Sequence, residues 1–97
     1  MKLVWSERAR EDRRAVYAYI EAEDPRAAVR VDVRIKAAAG RLIDFPDSGR
    51  PGRVEGTREL IVRGIPYVLA YRIDGKVVRI LRVIHAARLW PEAFSDE

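Results

Sequence analysis

The amino-acid sequence predicts a single α+β domain of two layers, in which an antiparallel helical hairpin packs on one face of a small β-sheet. Between Ser6 and Ile43, apolar side chains recur at helical spacing, interrupted once by Asp24-Pro25. Between Thr57 and His85, three short apolar runs are separated by Gly64-Ile65-Pro66 and by Asp74-Gly75, which is typical of an antiparallel meander. The predicted order of elements is therefore strand, helix, helix, strand, strand, strand, followed by a short C-terminal segment.

Composition limits what such a chain can contain. Its 97 residues are predicted to form one domain over positions 1–97, with room for a single core. With no cysteine and one histidine, the chain offers no disulfide and no credible set of metal ligands, and it carries no cofactor motif. The N-terminus becomes charged too early for a signal peptide, and no apolar run approaches the roughly 20 residues of a membrane span. We therefore expect a cytoplasmic protein that needs neither metal nor cofactor.

Two capping signals define the helical half. A short apolar run, Lys2 to Trp5, can supply one strand, and Ser6 then provides a side-chain oxygen for the free amides of a helix that runs to about Glu23. Asp24 is predicted to cap a second helix, with proline at its first position. The apolar side of that second helix is formed by Ala28, Val31, Ile35, Ala38 and Leu42.

The sheet half has one face that is more apolar than the other. Leu60 and Val62 lie on this face in the first run, and Tyr67, Leu69, Tyr71 and Ile73 lie on it in the second. Asp74-Gly75 predicts a two-residue turn with positive φ at both positions. In the third run, apolar residues occupy both sets of alternating positions, as in a central strand. The pattern alone does not decide which of its two faces points toward the core.

Two further regions lie outside the predicted helices and the predicted meander. Residues 44–56 contain two prolines and three glycines without periodicity and are expected to form a surface loop that joins the helical half to the sheet. After His85, Trp90 and Phe94, with Leu89 as a further candidate, are expected to fold a C-terminal segment back on the sheet. The tail, Ser95 to Glu97, is expected to be frayed.

The charged residues indicate a preference for acidic partners. The net charge is +4, with 16 arginines and 3 lysines, and arginine suits bidentate pairing with carboxylate or phosphate. Arg58, Arg82, His85 and Arg88 fall on or just beyond the predicted sheet, where they could form a basic pocket for phosphate or an acidic peptide. The competing interpretation is that His85 is a satisfied structural residue at a strand end. The sequence leaves these two interpretations open.

Several short motifs carry a resemblance to a known family. The chain contains, in this order, GRPG, TREL, PYVLAYR and RVIHAAR, with Trp-Pro close behind. This order resembles the ParE/RelE superfamily of toxins from type II toxin–antitoxin modules, over nearly the whole chain. The resemblance implies the fold described above, growth inhibition, and a cognate ParD-like antitoxin. Such an antitoxin has a DNA-binding N-terminal dimer and a C-terminal segment that wraps the toxin.

The superfamily contains two activities, and the sequence favours one of them. Members similar to RelE are ribosome-dependent mRNA endonucleases, whereas members similar to ParE poison DNA gyrase, with its A subunit as the expected target, and cut no RNA. Positions that usually hold basic or catalytic groups in the nuclease branch are Glu59, Ile61, Val68 and Phe94 here. These departures favour a non-catalytic gyrase poison without direct nucleic-acid binding. A plain structural or DNA-binding protein is the third class, and the spread of basic residues argues against it.

Different residues would carry each activity. If the chain is a nuclease, its catalytic candidates are Arg58, Arg82, His85 and Arg88. If it is a binding poison, the target-binding candidates are Arg82, Arg88, Trp90 and Phe94, because aromatic and arginine anchors dominate interfaces. An equally weighted interpretation is that Trp90 and Phe94 only cap the open end of the core.

Overall fold

The structure is a computed structural model that describes residues 1–94, so the predicted frayed tail lies outside the described residues. Its elements, in chain order, are strand β1 (Lys2–Trp5), helix α1 (Glu7–Glu21), helix α2 (Pro25–Arg41), a short 3₁₀ helix (Pro46–Ser48) and strands β2 (Arg50–Pro51), β3 (Arg58–Ile61), β4 (Tyr67–Asp74) and β5 (Val77–His85). The predicted α+β class and the order of the main elements are confirmed. No helix among residues 1–94 has the length and apolarity to cross a membrane.

Both predicted helix caps are present. The Oγ of Ser6 accepts from the N–H of Ala9 and also donates to the carbonyl of Leu81, so this cap joins the start of α1 to the sheet. Asp24 accepts from the N–H of Ala27 and starts α2. Helix α1 ends at Glu21, two residues before the predicted end.

The five strands form one mixed sheet in the order β1-β5-β4-β3-β2. The predicted antiparallel meander is made by β3, β4 and β5, and β5 is the central strand that its composition indicated. Strand β1 pairs with β5 in parallel, from Lys2 opposite Val77 to Trp5 opposite Ile80. Because β1 ends at Trp5 and β5 continues to His85, the second half of β5 has no strand on this side within the described chain.

A β-bulge explains why the apolar residues of the third run occupy both sets of alternating positions. Ala70 pairs with Arg82 and Tyr71 pairs with Ile80, so Leu81 is the extra residue. An extra residue shifts the alternation of side chains, so the core contains Val78 and Ile80 before the bulge and Val83 after it. The predicted apolar faces of β3 and β4 pack against Ile35 and other residues of the helical hairpin, as expected.

Two local predictions were wrong. Asp74 belongs to β4 and pairs with Val77, so the turn residues are Gly75 and Lys76, and positive φ occurs only at Gly75. This is the arrangement of a type II′ turn, which needs glycine only at its first central position. Residues 44–56 also contain regular structure, because the 3₁₀ helix and β2 lie there and Arg50 pairs with Glu59 of β3.

A buried tyrosine fixes this connecting loop. The hydroxyl of Tyr71 donates to the carbonyl of Pro46 at 2.7 Å and accepts from the N–H of Gly49 at 2.9 Å. A Cβ on Gly49 would meet the Tyr71 ring at 2.6–2.7 Å, so glycine is the residue that permits this approach. The loop is therefore tied to the core, which sequence composition alone did not indicate.

Candidate functional site

A cleft lies between α1 and the ends of β4 and β5 that meet there. Two adjoining hollows, of about 120 and about 470 Å³, have Tyr19, Tyr67, His85 and Arg88 in both of their walls. We call the surface made by these four residues the α1–β5 cleft. It opens beside the part of β5 that β1 does not cover.

Arg82 lies at the inner end of the cleft, and its charge is matched by a carboxylate. Its guanidinium donates two hydrogen bonds to Asp12 of α1, at 2.7 and 3.2 Å, and Asp12 also accepts from the N–H of Val83 at 2.9 Å. Both side chains are largely buried. Asp12 thus covers an open edge of β5 and joins α1 to the strand just after the bulge.

His85 has one ring nitrogen engaged. Its Nδ1 accepts from the N–H of Ala87 at 3.1 Å, and its ring contacts Tyr67 edge-to-face at 5.3 Å between centroids. A neutral imidazole that accepts at Nδ1 carries its proton at Nε2. In this tautomer Nε2 is a hydrogen-bond donor and has no lone pair to accept a proton.

Two tyrosines and one arginine complete the cleft. Burial raises the pKa of Tyr67, the charge of Arg88 acts in the opposite direction, and Tyr19 adds a smaller upward effect. Tyr67 therefore stays a neutral hydroxyl, able to donate, at neutral pH. Tyr19 is 73 % exposed, so its ring is open to solvent at the edge of the cleft.

Arg58 lies apart from this cleft. It starts β3 on the far side of β4, where its guanidinium donates to the carbonyl of Gly49 at 2.7 Å and approaches the Asp47 carboxylate at 3.6 Å. These contacts hold the loop before β2. The structure thus brings Arg82, His85 and Arg88 together and separates Arg58 from them.

A second charged cluster lies around a buried carboxylate. Glu59, 3 % exposed, accepts from Arg50 at 3.0 Å, from the backbone N–H of Arg53 at 2.8 Å and from the Arg53 guanidinium at 3.2 Å. Burial raises the pKa of Glu59, but the hydrogen bonds from Arg53 and Arg50 together outweigh it and hold this pKa below its usual value.

The C-terminal segment meets this second cluster. The guanidinium carbon of Arg53 lies 3.7 Å from the ring centroid of Trp90, a close cation–π contact. Glu59 pairs across the sheet with Ala70, which is fully buried but does not belong to the core cluster that contains Ile35 of α2, so the Glu59 cluster and Trp90 lie on the face opposite the helices. Trp90 and Phe94 are half-buried, while Leu89 is 99 % exposed. Of the target-binding candidates, Arg82 and Arg88 thus line the cleft, and Trp90 is separate from it.

Sequence reasoning did not find Tyr19, Asp12 or the Glu59 cluster. Asp12 is one of many charges on α1, and its partner Arg82 is 70 residues away in the chain. Tyr19 had one available signal, because it is an aromatic residue on the polar side of an amphipathic helix. Among residues 1–94, no group of three or more His, Asp or Glu side chains is placed to hold a metal ion.

Comparisons with known proteins place the chain in a family. A family model described as the ParE toxin of type II toxin–antitoxin system, parDE, matches residues 3–90. The protein Y4kP of Sinorhizobium fredii is 46 % identical over 91 residues, which are 94 % of each chain. Toxin RelE2 of Caulobacter vibrioides is 41 % identical over 88 residues, covering 91 % of this chain and 98 % of that protein.

A solved structure gives the same result. A chain from the chromosomal ParDE toxin–antitoxin system of P. aeruginosa superimposes with a TM-score of 0.80 and 28 % identity, covering 88 % of this chain and 95 % of that one. The resemblance inferred from the sequence motifs is thereby confirmed. The chain belongs to the ParE toxin family of type II toxin–antitoxin systems.

Proposed function

We propose that this chain stops growth by binding DNA gyrase, through its A subunit, and holding the enzyme in its DNA-cleaved state. It would do so without covalent chemistry of its own, and a cognate antitoxin would neutralise it. Membership of the ParE family supports the toxin role and the antitoxin partner. The choice of gyrase rests on the arrangement of the candidate residues.

One observation supports this choice: within residues 1–94, Arg58 lies apart from Arg82, His85 and Arg88, and Arg82 is already paired with a carboxylate. Cleavage through the 2′-hydroxyl requires a base, a cation at the phosphorane and an acid for the leaving oxygen. Arg58 holds a distant loop, and the charge of Arg82 is matched by Asp12. His85 has its Nδ1 engaged by the N–H of Ala87, so only its Nε2 is available to a substrate.

The alternative is a ribosome-dependent mRNA endonuclease. It is favoured by the similarity to the Caulobacter protein named toxin RelE2. In that case His85 and Arg88, which face the same cleft, would act on the RNA, with Arg82 behind them. Arg58 and Arg82 would then have to act on the RNA despite their contacts with Gly49 and Asp12.

The deciding experiment compares the two activities on one protein preparation. Purified chain is added to gyrase, relaxed plasmid and ATP, and both supercoiling and protein-linked cleaved DNA are measured. A parallel translation reaction is examined for codon-positioned cuts in mRNA. We expect lost supercoiling with accumulated cleaved DNA and an intact message. Normal supercoiling together with mRNA cuts would establish the endonuclease instead.

The target-facing surface is proposed to include Arg88 and the C-terminal segment with Trp90 and Phe94. Trp90→Ala removes a half-buried ring and its contact with Arg53, whereas Leu89→Ala removes a neighbouring side chain that is 99 % exposed. If Trp90 is an anchor, its variant loses gyrase inhibition at temperatures well below its melting point. If Trp90 only caps the sheet, its melting temperature falls and the folded fraction inhibits gyrase fully.

A further inference from the structure

We propose that a groove between α1 and α2 binds a nucleoside triphosphate, with the phosphate chain against its arginines. The walls are formed by Arg10, Arg13, Arg14 and Tyr17 of α1 and by Asp32 of α2, around a hollow of about 360 Å³. We call the surface made by these five residues the α1–α2 groove. It is separate from the α1–β5 cleft, and the inference depends neither on gyrase nor on the antitoxin.

The spacing of the residues on α1 places four side chains along one wall. Arg10, Arg13, Arg14 and Tyr17 follow the i, i+3, i+4, i+7 pattern, so they share one face of the helix. Arg10 and Arg14 are four residues apart, which is about 6 Å along the helix axis. A chain of three phosphates has about this length, so it can lie beside all three arginines at once.

The central cation of the groove is held in place by its neighbours. Arg13 donates to the Asp32 carboxylate through Nε at 2.9 Å and through Nη2 at 3.0 Å, and its guanidinium carbon lies 4.8 Å from the centroid of the Trp5 ring. A planar cation that is already fixed loses little conformational freedom when a ligand binds. Within residues 1–94, its Nη1 has no acceptor, so two N–H donors remain for a phosphate oxygen.

Arg10 and Arg14 supply the excess charge. Asp32 matches the charge of Arg13, whereas the exposed side chains of Arg10 and Arg14 pair with no carboxylate in the part of the chain that the structure describes. Three arginines and one aspartate give the groove a net charge of +2. Guanidinium groups bind phosphate through paired hydrogen bonds, and a triphosphate has enough oxygens to engage several of them, whereas a single carboxylate does not.

Tyr17 favours a nucleotide over a bare phosphate chain. Its half-buried ring lies one helical turn beyond Arg14, at the end of the row of arginines, where a nucleobase can stack on it. The hollow is also of the size of small-molecule sites. Duplex DNA carries phosphates too, but its bases are stacked inside the double helix and do not reach an aromatic ring beside the backbone.

The test is calorimetric titration of the full chain with ATP, with tripolyphosphate and with inorganic phosphate. We expect ATP to bind most tightly and inorganic phosphate least tightly. Arg10→Gln and Arg14→Gln should each weaken ATP binding about ten-fold, because each removes charge-assisted hydrogen bonds to the phosphates. The matched control is Arg8→Gln, which removes the same charge from an exposed position of α1 outside the groove and should leave the affinity unchanged.

A second set of titrations separates the base from the phosphates. Tyr17→Ala should weaken the binding of ATP and leave the binding of tripolyphosphate unchanged. Arg14→Lys should give an intermediate affinity for both, because it keeps the charge and loses the planar fork. The variants of Arg10 and Arg14 change exposed side chains, so they remain informative if Tyr17→Ala is unstable.

Several results would overturn the inference. Unchanged ATP affinity in both Arg10→Gln and Arg14→Gln would remove the groove as the site, and equal weakening by Arg8→Gln would indicate attraction by net charge alone. Equal affinities for ATP and inorganic phosphate would exclude a nucleotide site. Tighter binding of a short DNA duplex than of ATP, lost in the same two variants, would assign the groove to a nucleic-acid backbone. These titrations contain no gyrase, so failure of the proposed target and failure of this site are separate outcomes.

Discussion

Glu59→Gln should destabilise this protein strongly at neutral pH, because the carboxylate lies at the centre of a buried cluster. It joins β3 to the loop after β2 through Arg50 and Arg53, and Arg53 in turn stacks on Trp90. The substitution keeps the shape of the side chain and removes its charge. It also places an amide N–H₂ group, a donor, opposite groups that are already donors.

The expected loss follows from the contacts. A hydrogen bond to a charged group contributes about 1.5–3 kcal/mol, and a buried donor left without its acceptor costs about 1–3 kcal/mol. The new amide N–H₂ group is such a donor: the glutamine oxygen can still accept from the backbone N–H of Arg53, but the amide nitrogen then faces the guanidinium groups of Arg50 and Arg53, which are about half exposed and can be hydrated again. We therefore expect a loss of about 2–3 kcal/mol in the free energy of unfolding at pH 7.

The assay is urea denaturation of both proteins across a range of pH. Because the pKa of folded Glu59 lies below the unfolded value of 4.5, its stabilisation is complete above pH 4.5 and is lost as pH falls through the folded pKa. The difference between wild type and Glu59→Gln should thus be largest at neutral pH and shrink in acid. Glu55→Gln, the same change at an exposed position of the same loop, should alter stability by less than about 0.5 kcal/mol.

Two results would refute this reasoning. Equal stability of Glu59→Gln and Glu55→Gln at pH 7 would mean that the hydrogen bonds of Glu59 only compensate the desolvation of its charge. A stability of the wild type that grows relative to Glu59→Gln as pH falls from neutral toward 4.5 would mean that the pKa of Glu59 is raised, with burial outweighing the arginines.

Three further substitutions test other contacts. Tyr71→Phe should lower stability by about 1–3 kcal/mol in urea denaturation, because the N–H of Gly49 loses its acceptor, and a cost below that range would mean that water replaces the hydroxyl. Asp12→Ala should cost about 1.5–3 kcal/mol by the same measurement and increase hydrogen exchange at Val83, whose N–H loses its acceptor; unchanged exchange there would contradict the role of Asp12 at the strand edge. His85→Ala should retain gyrase inhibition, whereas a nuclease that uses it would lose about 100-fold or more in its cleavage rate.

The parts of the fold that local chemistry specifies could be predicted. Ser6 and Asp24 are capping residues that accept from amides three positions ahead, so their role is visible in a short window of sequence. The apolar face of β4 is likewise a local pattern, because side chains alternate along a strand.

The parts that depend on distant pairs could not be predicted. The bulge at Leu81 changes the alternation of β5, but an extra apolar residue in an apolar run leaves no signal in composition. The cleft depends on β1 being shorter than β5, and the parallel pairing of these two strands joins residues 75 positions apart. For the same reason Arg58 was grouped with Arg82 and His85, although strand β4 lies between its own strand, β3, and β5.

The arginines of this chain argue for a protein partner more strongly than their number suggests. Many of them lie within salt-bridge distance of a carboxylate that belongs to the same chain: Arg13, Arg50, Arg53, Arg58, Arg72, Arg79 and Arg82. A nucleic-acid phosphate that approached these groups would compete with carboxylates held in place by the fold, so they contribute little to non-specific binding. Arg88, by contrast, stands at the rim of a concave apolar surface, where a ligand must fit the cleft as well as supply a negative charge. A ligand that pairs with Arg88 would therefore have to match the hollow in shape as well as in charge, which distinguishes this position from a general attraction to polyanions.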